Sequence, residues 1–272
     1  MTNSQQKAKV AVAVPIYRDL RSMPENDIKA LNRISQVLSE RDIFLIHPPS
    51  IDIQEYKKFM EPLVVYTICV PPVYFGNSDA SNRMLTSAYF YNLFASYDFL
   101  LLHHTDAYVF ADELDHWCSL GLDYIGAPWL VGNNKPVFPL RFEGVGNGGL
   151  SLRRIRSFRK ITKSRTALRL HYALCKIRRF LEGEHYPALR HYLGINLIVK
   201  SMKWRMDNED VFWGVIAPKT FEWFKVAEPE QALKFSFEVM PRKLSELNNN
   251  QLPFGCHAWE KHDPDFWKPF II

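Results

Sequence analysis

The 272-residue chain is poor in the features that mark several large classes of protein. Its four cysteines, Cys69, Cys118, Cys175 and Cys256, lie far apart and form no Cys-x-x-Cys pair, which argues against a disulfide scaffold and a cysteine zinc site. No stretch approaches the ~20 uninterrupted apolar residues of a membrane span. The opening MTNSQQKAKV is polar and lacks the apolar run of a signal peptide. Internal repeats and low-complexity linkers are missing. So are a Walker loop, the dinucleotide glycine fingerprint and a Gly-x-Ser-x-Gly elbow. Thirty-four basic against 29 acidic side chains leave a charge of +5, too small an excess to imply nucleic acid by itself. The expected address is the cytoplasm, with peripheral contact at the inner face of a membrane kept open.

What is present is apolar and aromatic: 47% and 14% of residues. A globule of this size buries roughly three-quarters of the surface its unfolded chain exposes, enough for one large domain or two closely fused halves. Val10 to Ile16 (VAVAVPI) reads as a buried strand. Ser22-Met23-Pro24-Glu25 has the form of a capping box, and Ile28, Leu31, Ile34 and Leu38 then recur at helical spacing, predicting a helix over 24–40. Further strands are predicted over 42–47, 63–70 and 98–104, with a helix over 81–96. Such alternation argues for an α/β fold with a mostly parallel central sheet flanked by helices on both faces. Ligands of such sheets sit beyond the carboxyl ends of the strands, here at Tyr17-Arg18, after Val70, and at Thr105-Asp106-Ala107. From Ser151 to Leu181 there is no acidic residue, while Arg and Lys recur among apolar positions, which predicts a basic helical segment over 153–181.

Several residues carry chemistry in one reading and plain structure in another. Asp106 directly follows an apolar strand, where it either holds a hard divalent cation or caps a turn. Gly146, Gly148 and Gly149 either admit a sugar or phosphate to the backbone or make a tight bend. Glu209 and Asp210 precede an aromatic run, as a general base near apolar walls or as acids at a helix start. His257, in PFGCHAW, is a metal ligand or a packed core histidine. Tyr17, Tyr74, Trp129 and Trp259 lie near predicted loops, placed to stack on a base or sugar ring. The basic stretch is a solvated helix face, or a patch for anionic lipid or a pyrophosphate-linked acceptor. A nucleic-acid role for it ranks last, one basic helix being a weak footprint.

Asn82-Arg83, TDAYVF (105–110), YIGAPW (124–129), GNGGLSLR (146–153), EDVF (209–212) and PFGCH (253–257) occur in this order. The set resembles a bacterial family catalogued as a domain of unknown function and grouped with GT-A-type glycosyltransferases, over about residues 10–268. The resemblance implies a single GT-A-like, Rossmann-type domain, with a nucleotide-sugar-binding half at about 10–130 and an acceptor and catalytic half at about 140–272. It implies an inverting transferase using Mn²⁺ or Mg²⁺, a nucleotide-sugar donor and a glycan or lipid-linked acceptor, in surface polysaccharide synthesis. No nucleic-acid partner is expected; contact with an anionic membrane through 153–179 stays open beside the solvated-face reading. The Asp-x-Asp triplet of such enzymes reads His104-Thr105-Asp106 here, so Asp106 alone carries over as a metal ligand, with His257 as the second. Asp210 becomes the base, with Glu209 as alternate. Donor contacts fall on Pro15, Tyr17, Asn82, Arg83, Thr105, Asp106, Gly148 and Gly149, and acceptor contacts on Trp129, Asn147 and Trp259. The other reading is a catalytically degenerate GT-A-like module that binds a nucleotide or glycan.

Overall fold

A computed structural model describes residues 7–132, 135–164 and 208–271. The predicted strands form where the apolar runs lie: β1 (Val10–Pro15), β2 (Asp42–His47), β3 (Val65–Cys69) and β4 (Phe99–His103). They pair in parallel in the order β3-β2-β1-β4. The sheet is completed to six strands by β9 (Leu150–Arg154), antiparallel to β4, and by β6 (Tyr124–Ile125) beyond it. Both faces are covered, which explains why β1 is apolar at every position. Val10, Val12 and Val14 pack with α1 (Glu25–Val37) and α2 (Ile53–Phe59) through Leu31, Ile34 and Tyr56. Ala11 and Ala13 face the aromatic side, with Phe90, Phe94, Phe158 and Trp213.

Two local expectations are corrected. The Ser22–Glu25 capping box does not form: the Ser22 hydroxyl donates to the Asp19 carbonyl at 2.9 Å, and Pro24 itself stands at the N-cap of α1. The helix expected over 81–96 is two, α3 (Ser78–Leu85) and α4 (Ala88–Leu93). The break lies at Thr86-Ser87, whose hydroxyls bond the carbonyls of Asn82 and Met84 while Ser87 Oγ accepts the Phe90 amide. Side chains that bond nearby backbone compete with the helix interior and favour a cap.

Two smaller sheets stand beside the large one. Strands β5 (Ala107–Val109), β10 (Ser236–Phe237) and β11 (Gly255–His257) form one, with β11 in the middle. Strands β7 (Ala127–Leu130) and β8 (Phe142–Gly146) form the other. A third apolar cluster, including Tyr108, Phe237, Cys256, Trp259 and Trp267, lies around the three-stranded sheet. The basic segment expected as helix from 153 begins instead as strand: Arg153 and Arg154 end β9, and helix α6 runs from Ile155 to Lys163. Residues 165–181 of that expectation lie outside the described residues. Among the described residues, no helix is long and apolar enough to cross a membrane.

Candidate active site

In the large sheet, β1 is flanked by β2 on one side and β4 on the other, so the chain direction of the strand order switches between β1 and β4. A cleft opens beyond the carboxyl ends of these two strands, where Tyr17 follows β1 and His104, Thr105 and Asp106 follow β4. It has two lobes that share Tyr17 and His104. One, of about 470 Å³, is lined by Asn77, Asn82, Gly148, Glu209 and Asp210 among others. The other, of about 290 Å³, is lined by Asp27, Thr105, Asp106 and Lys261 among others.

Strand register brings together three side chains that are remote in the chain. In the antiparallel pair β5–β11, His257 stands opposite Ala107, one residue from Asp106, and the Ala258 amide bonds the Asp106 carbonyl at 2.9 Å. The parallel pair β10–β11 matches Phe237 with Cys256, so Glu238 arrives beside His257. His257 Nε2 lies 3.2 Å from Asp106 Oδ1, and its Nδ1 lies 3.0 Å from Glu238 Oε1. Burial opposes a charge on this imidazole, yet the two carboxylates prevail and hold its pKa up at about 10. The same contacts overcome burial at Asp106 and keep that carboxyl well below the usual range.

His104 completes the group. One ligand atom from each of His104, Asp106 and His257 falls within 4.8 Å of the others. Burial, and then the neighbouring His257, push the His104 pKa down to about 3, so its ring is neutral. Its Nε2 is shut off from solvent without a hydrogen-bond partner. Two imidazole nitrogens and a carboxylate oxygen fit a divalent first-row cation, whose binding would displace the proton that the carboxylates hold on His257. Glu238, on the far nitrogen of His257, has the outer-shell place that orients a ligating histidine. The donor set therefore fits a metal, and sequence reasoning missed two of its parts. The His104 signal was the imidazole standing where the first acid of Asp-x-Asp would be; Glu238 had none.

The glycine turn between β8 and β9 forms the floor. Asn147 adopts φ 127°, and its side-chain oxygen accepts the amides of Gly149 and Leu150 at 2.8 and 3.2 Å. A β-carbon on Gly148 would lie 2.8 Å from Glu209 Oε1, and one on Gly149 would lie 2.0 Å from His257 Nε2. Gly146 serves packing instead, since a β-carbon there would strike the Trp129 ring.

Opposite this floor the chain re-enters with Glu209 and Asp210. The Glu209 amide donates to Asn82 Oδ1 at 3.1 Å, which anchors the segment to α3. Beyond Val211 the helix continues through a π-helical turn, Phe212–Ile216. Glu209 is buried in an ion pair: Arg153, with no exposed surface, donates to Glu209 Oε1 and to the Tyr91 hydroxyl, each at 2.9 Å, and to Ser151 Oγ at 3.0 Å. Asp210 has no cationic partner at hydrogen-bond distance among the described residues; its Oδ1 accepts the Val211 amide. Burial, then the charges of Glu209 and Glu238, raise its pKa to about 7. Glu238 thus acts on both lobes, bonded to His257 and felt by Asp210.

Other expected contacts line neither lobe or are spent on the fold. Trp129 is buried over Gly144 and Gly146, and Trp259 belongs to the third apolar cluster. Asn147 is buried and spends its side-chain oxygen on the turn. None of these three lines either lobe. Pro15 is buried within β1, and Arg83 turns away to the Val73 carbonyl. Thr105 lines the smaller lobe, but its hydroxyl donates to Asp27 at 2.6 Å. Arg153, expected on a basic helical face, is interior because β9 inserts between β4 and β6.

Sheet order and the position of the cleft define a GT-A-type glycosyltransferase fold. The chain belongs to the family described as "Protein of unknown function (DUF5672)", whose model matches residues 65–257. No curated protein matches it. The glycosyltransferase GlyE of Streptococcus pneumoniae TIGR4 superposes with a TM-score of 0.51 at 13% identity, over 97% of this chain and 60% of that one. Its apo form gives 0.47 at 14%, over 92% and 54%, so the chain spans little more than half of GlyE. Apo mouse xyloside xylosyltransferase 1 gives 0.47 at 10%, over 92% and 97%.

Proposed function

We propose that the protein transfers a sugar from a nucleotide-sugar donor to a hydroxyl of a glycan or lipid-linked acceptor, with inversion. The observation that carries this reading is that His104, Asp106 and Asp210 line one two-lobed cleft at the switch point of the sheet, with His257 against Asp106 behind it. In this reading residues 10–130 carry most donor contacts, and residues beyond 140 supply the base and acceptor contacts. Asp106, His257 and His104 would hold Mn²⁺ or Mg²⁺, which when bound supplies charge neutralisation for a diphosphate leaving group.

The chain's own residues divide the remaining work. Asp210 is the base: its carboxylate takes the proton from the acceptor hydroxyl, and a pKa near 7 suits it to do so near neutral pH. Glu209 is not free for that task, because Arg153 holds one of its oxygens. It works from behind, its charge raising the affinity of Asp210 for a proton. Gly148 brings backbone close to the reacting sugar, and Tyr17 and Asn82 border the donor.

A second reading, a module that binds a nucleotide or glycan without turnover, draws on the histidine that replaces the first acid of Asp-x-Asp. Incubation with a panel of nucleotide sugars and Mn²⁺ separates the two. Release of nucleoside diphosphate that disappears in Asp106→Ala supports the transferase. Binding without release from any donor supports the module.

A further inference from the structure

At the other end of the large sheet, where β1 and β4 begin and β9 ends, lies a cleft of about 620 Å³, larger than either lobe of the candidate active site. Lys7, Arg154, Arg156 and Arg159 line it. Its one carboxylate, Asp98, already accepts the Lys9 amide at 2.9 Å. Arg154 and Arg156 also line a neighbouring hollow of about 430 Å³ that holds Lys160, Trp223 and Lys225. There Lys160 Nζ stands 4.0 Å over the Trp223 ring. The acid of that hollow, Asp123, is buried and accepts the Ser157 hydroxyl and the Lys225 amide.

Lys7 pairs with Asp115 at 2.8 Å and Arg159 donates to Asn92 Oδ1 at 2.9 Å, but the charge along α6 is unbalanced. Within α6, Arg156 and Arg159, and Lys160 and Lys163, are three residues apart; Arg156 and Lys160, and Arg159 and Lys163, are four apart. All four spacings put like charges side by side, which destabilises a helix. The first turn has no acid, so Arg154 and Arg156 stand at the positive end of the helix dipole, the unfavourable end for a cation. None of Arg156, Arg159, Lys160 and Lys163 makes an ion pair among the described residues. Arg154 stands 3.6 Å from Asp123, but its Nε is shut off from solvent with no hydrogen-bond partner.

We infer that this basal cleft binds a phosphorylated anion, with the phosphate facing Arg154 and Arg156. Phosphate oxygens match the guanidinium fork, cancel the repulsion along α6 and suit the dipole at its start. The chemistry is shared by a soluble phosphate ester and a lipid headgroup, and Trp223 between Lys160 and Lys225 forms an amphipathic rim suited to the latter. The site is remote from the sugar-transfer cleft and stands whether or not that reading holds.

The test uses the full chain in EDTA, with inorganic pyrophosphate by titration calorimetry. A second arm is co-sedimentation with phosphatidylcholine vesicles, with and without phosphatidylglycerol. The variants are Arg156→Glu/Lys160→Glu, both exposed side chains, and Asp106→Ala. Wild type and Asp106→Ala should bind alike, more weakly as salt rises, and the double reversal should bind at least roughly tenfold more weakly. Pyrophosphate binding assigns a soluble ligand; binding to phosphatidylglycerol vesicles alone assigns a headgroup. Undiminished binding by the folded double reversal, loss of binding in Asp106→Ala, or binding of neither probe overturns the site.

Discussion

Gly149 lies so close beneath His257 that a β-carbon on it would stand 2.0 Å from the imidazole Nε2. The obstacle is steric, and it involves the nitrogen that faces Asp106. Gly149→Ala should therefore displace the His257 ring, at a cost of about 1–3 kcal/mol for overpacking. The expected result is a folded protein by circular dichroism whose melting point no longer rises with Mn²⁺. An unchanged Mn²⁺ response would show that the ring is not a ligand.

Glu238 should act on metal binding through His257. Replacing it with alanine removes the acceptor on Nδ1, 3.0 Å away, and leaves Asp106 untouched. Loss of such an outer-shell partner weakens metal binding by roughly 10–100-fold. Mn²⁺ titrations followed by thermal shift will measure it, since stabilisation tracks the ratio of ligand concentration to Kd. Glu238→Gln, which retains an acceptor oxygen, should recover part of the loss.

The pH profile should report Asp210. Its folded pKa of about 7 is raised, and the ionised form is the base. Turnover should thus rise with pH and level off above about 7. Stability runs the other way: the folded state holds the proton more tightly, so the contribution falls as pH rises towards 7 and is constant beyond. Asp210→Asn should lower turnover by about 10²–10⁴-fold while keeping donor affinity. If Glu209→Gln alone reproduces that pattern, the base has been assigned to the wrong acid.

Removing one partner of the Arg153–Glu209 pair should leave an uncompensated interior charge. Arg153→Met is expected to cost roughly 3–5 kcal/mol. The double variant Arg153→Met/Glu209→Gln should regain much of it. Chemical denaturation of the four proteins of this cycle gives the coupling, and strict additivity would mean that the two charges do not depend on one another.

Much of the large sheet was legible in the amino-acid order. Strands buried on both faces must be apolar throughout, and VAVAVPI, DIFLIH and DFLLLHH advertise that condition locally. The carboxyl ends of β1 and β4 follow from it, and with them Tyr17 and Asp106. Shorter elements were harder to read. Ser236–Phe237 is a strand of two residues, which carries no periodic pattern, so nothing nearby marked Glu238 as a partner of His257. The two tryptophans expected at the acceptor line neither lobe; an aromatic beside a loop reads the same whether it covers a ligand or packs in the interior. Arg153 misled for a related reason. Its neighbours in sequence are basic and solvated, whereas its neighbours in space are Glu209, Tyr91 and Ser151.

The linear order of residues determined the alternation of strand and helix, the two covered faces and the acids and imidazoles available for chemistry, because burial period and side-chain type are local properties. Which of those groups meet was decided by tertiary structure. Strand pairing sets Glu238, His257 and Asp106 in a row, and β9 carries Arg153 beneath Glu209. Charge and proton affinity then follow from distance and desolvation, which are properties of the folded neighbourhood.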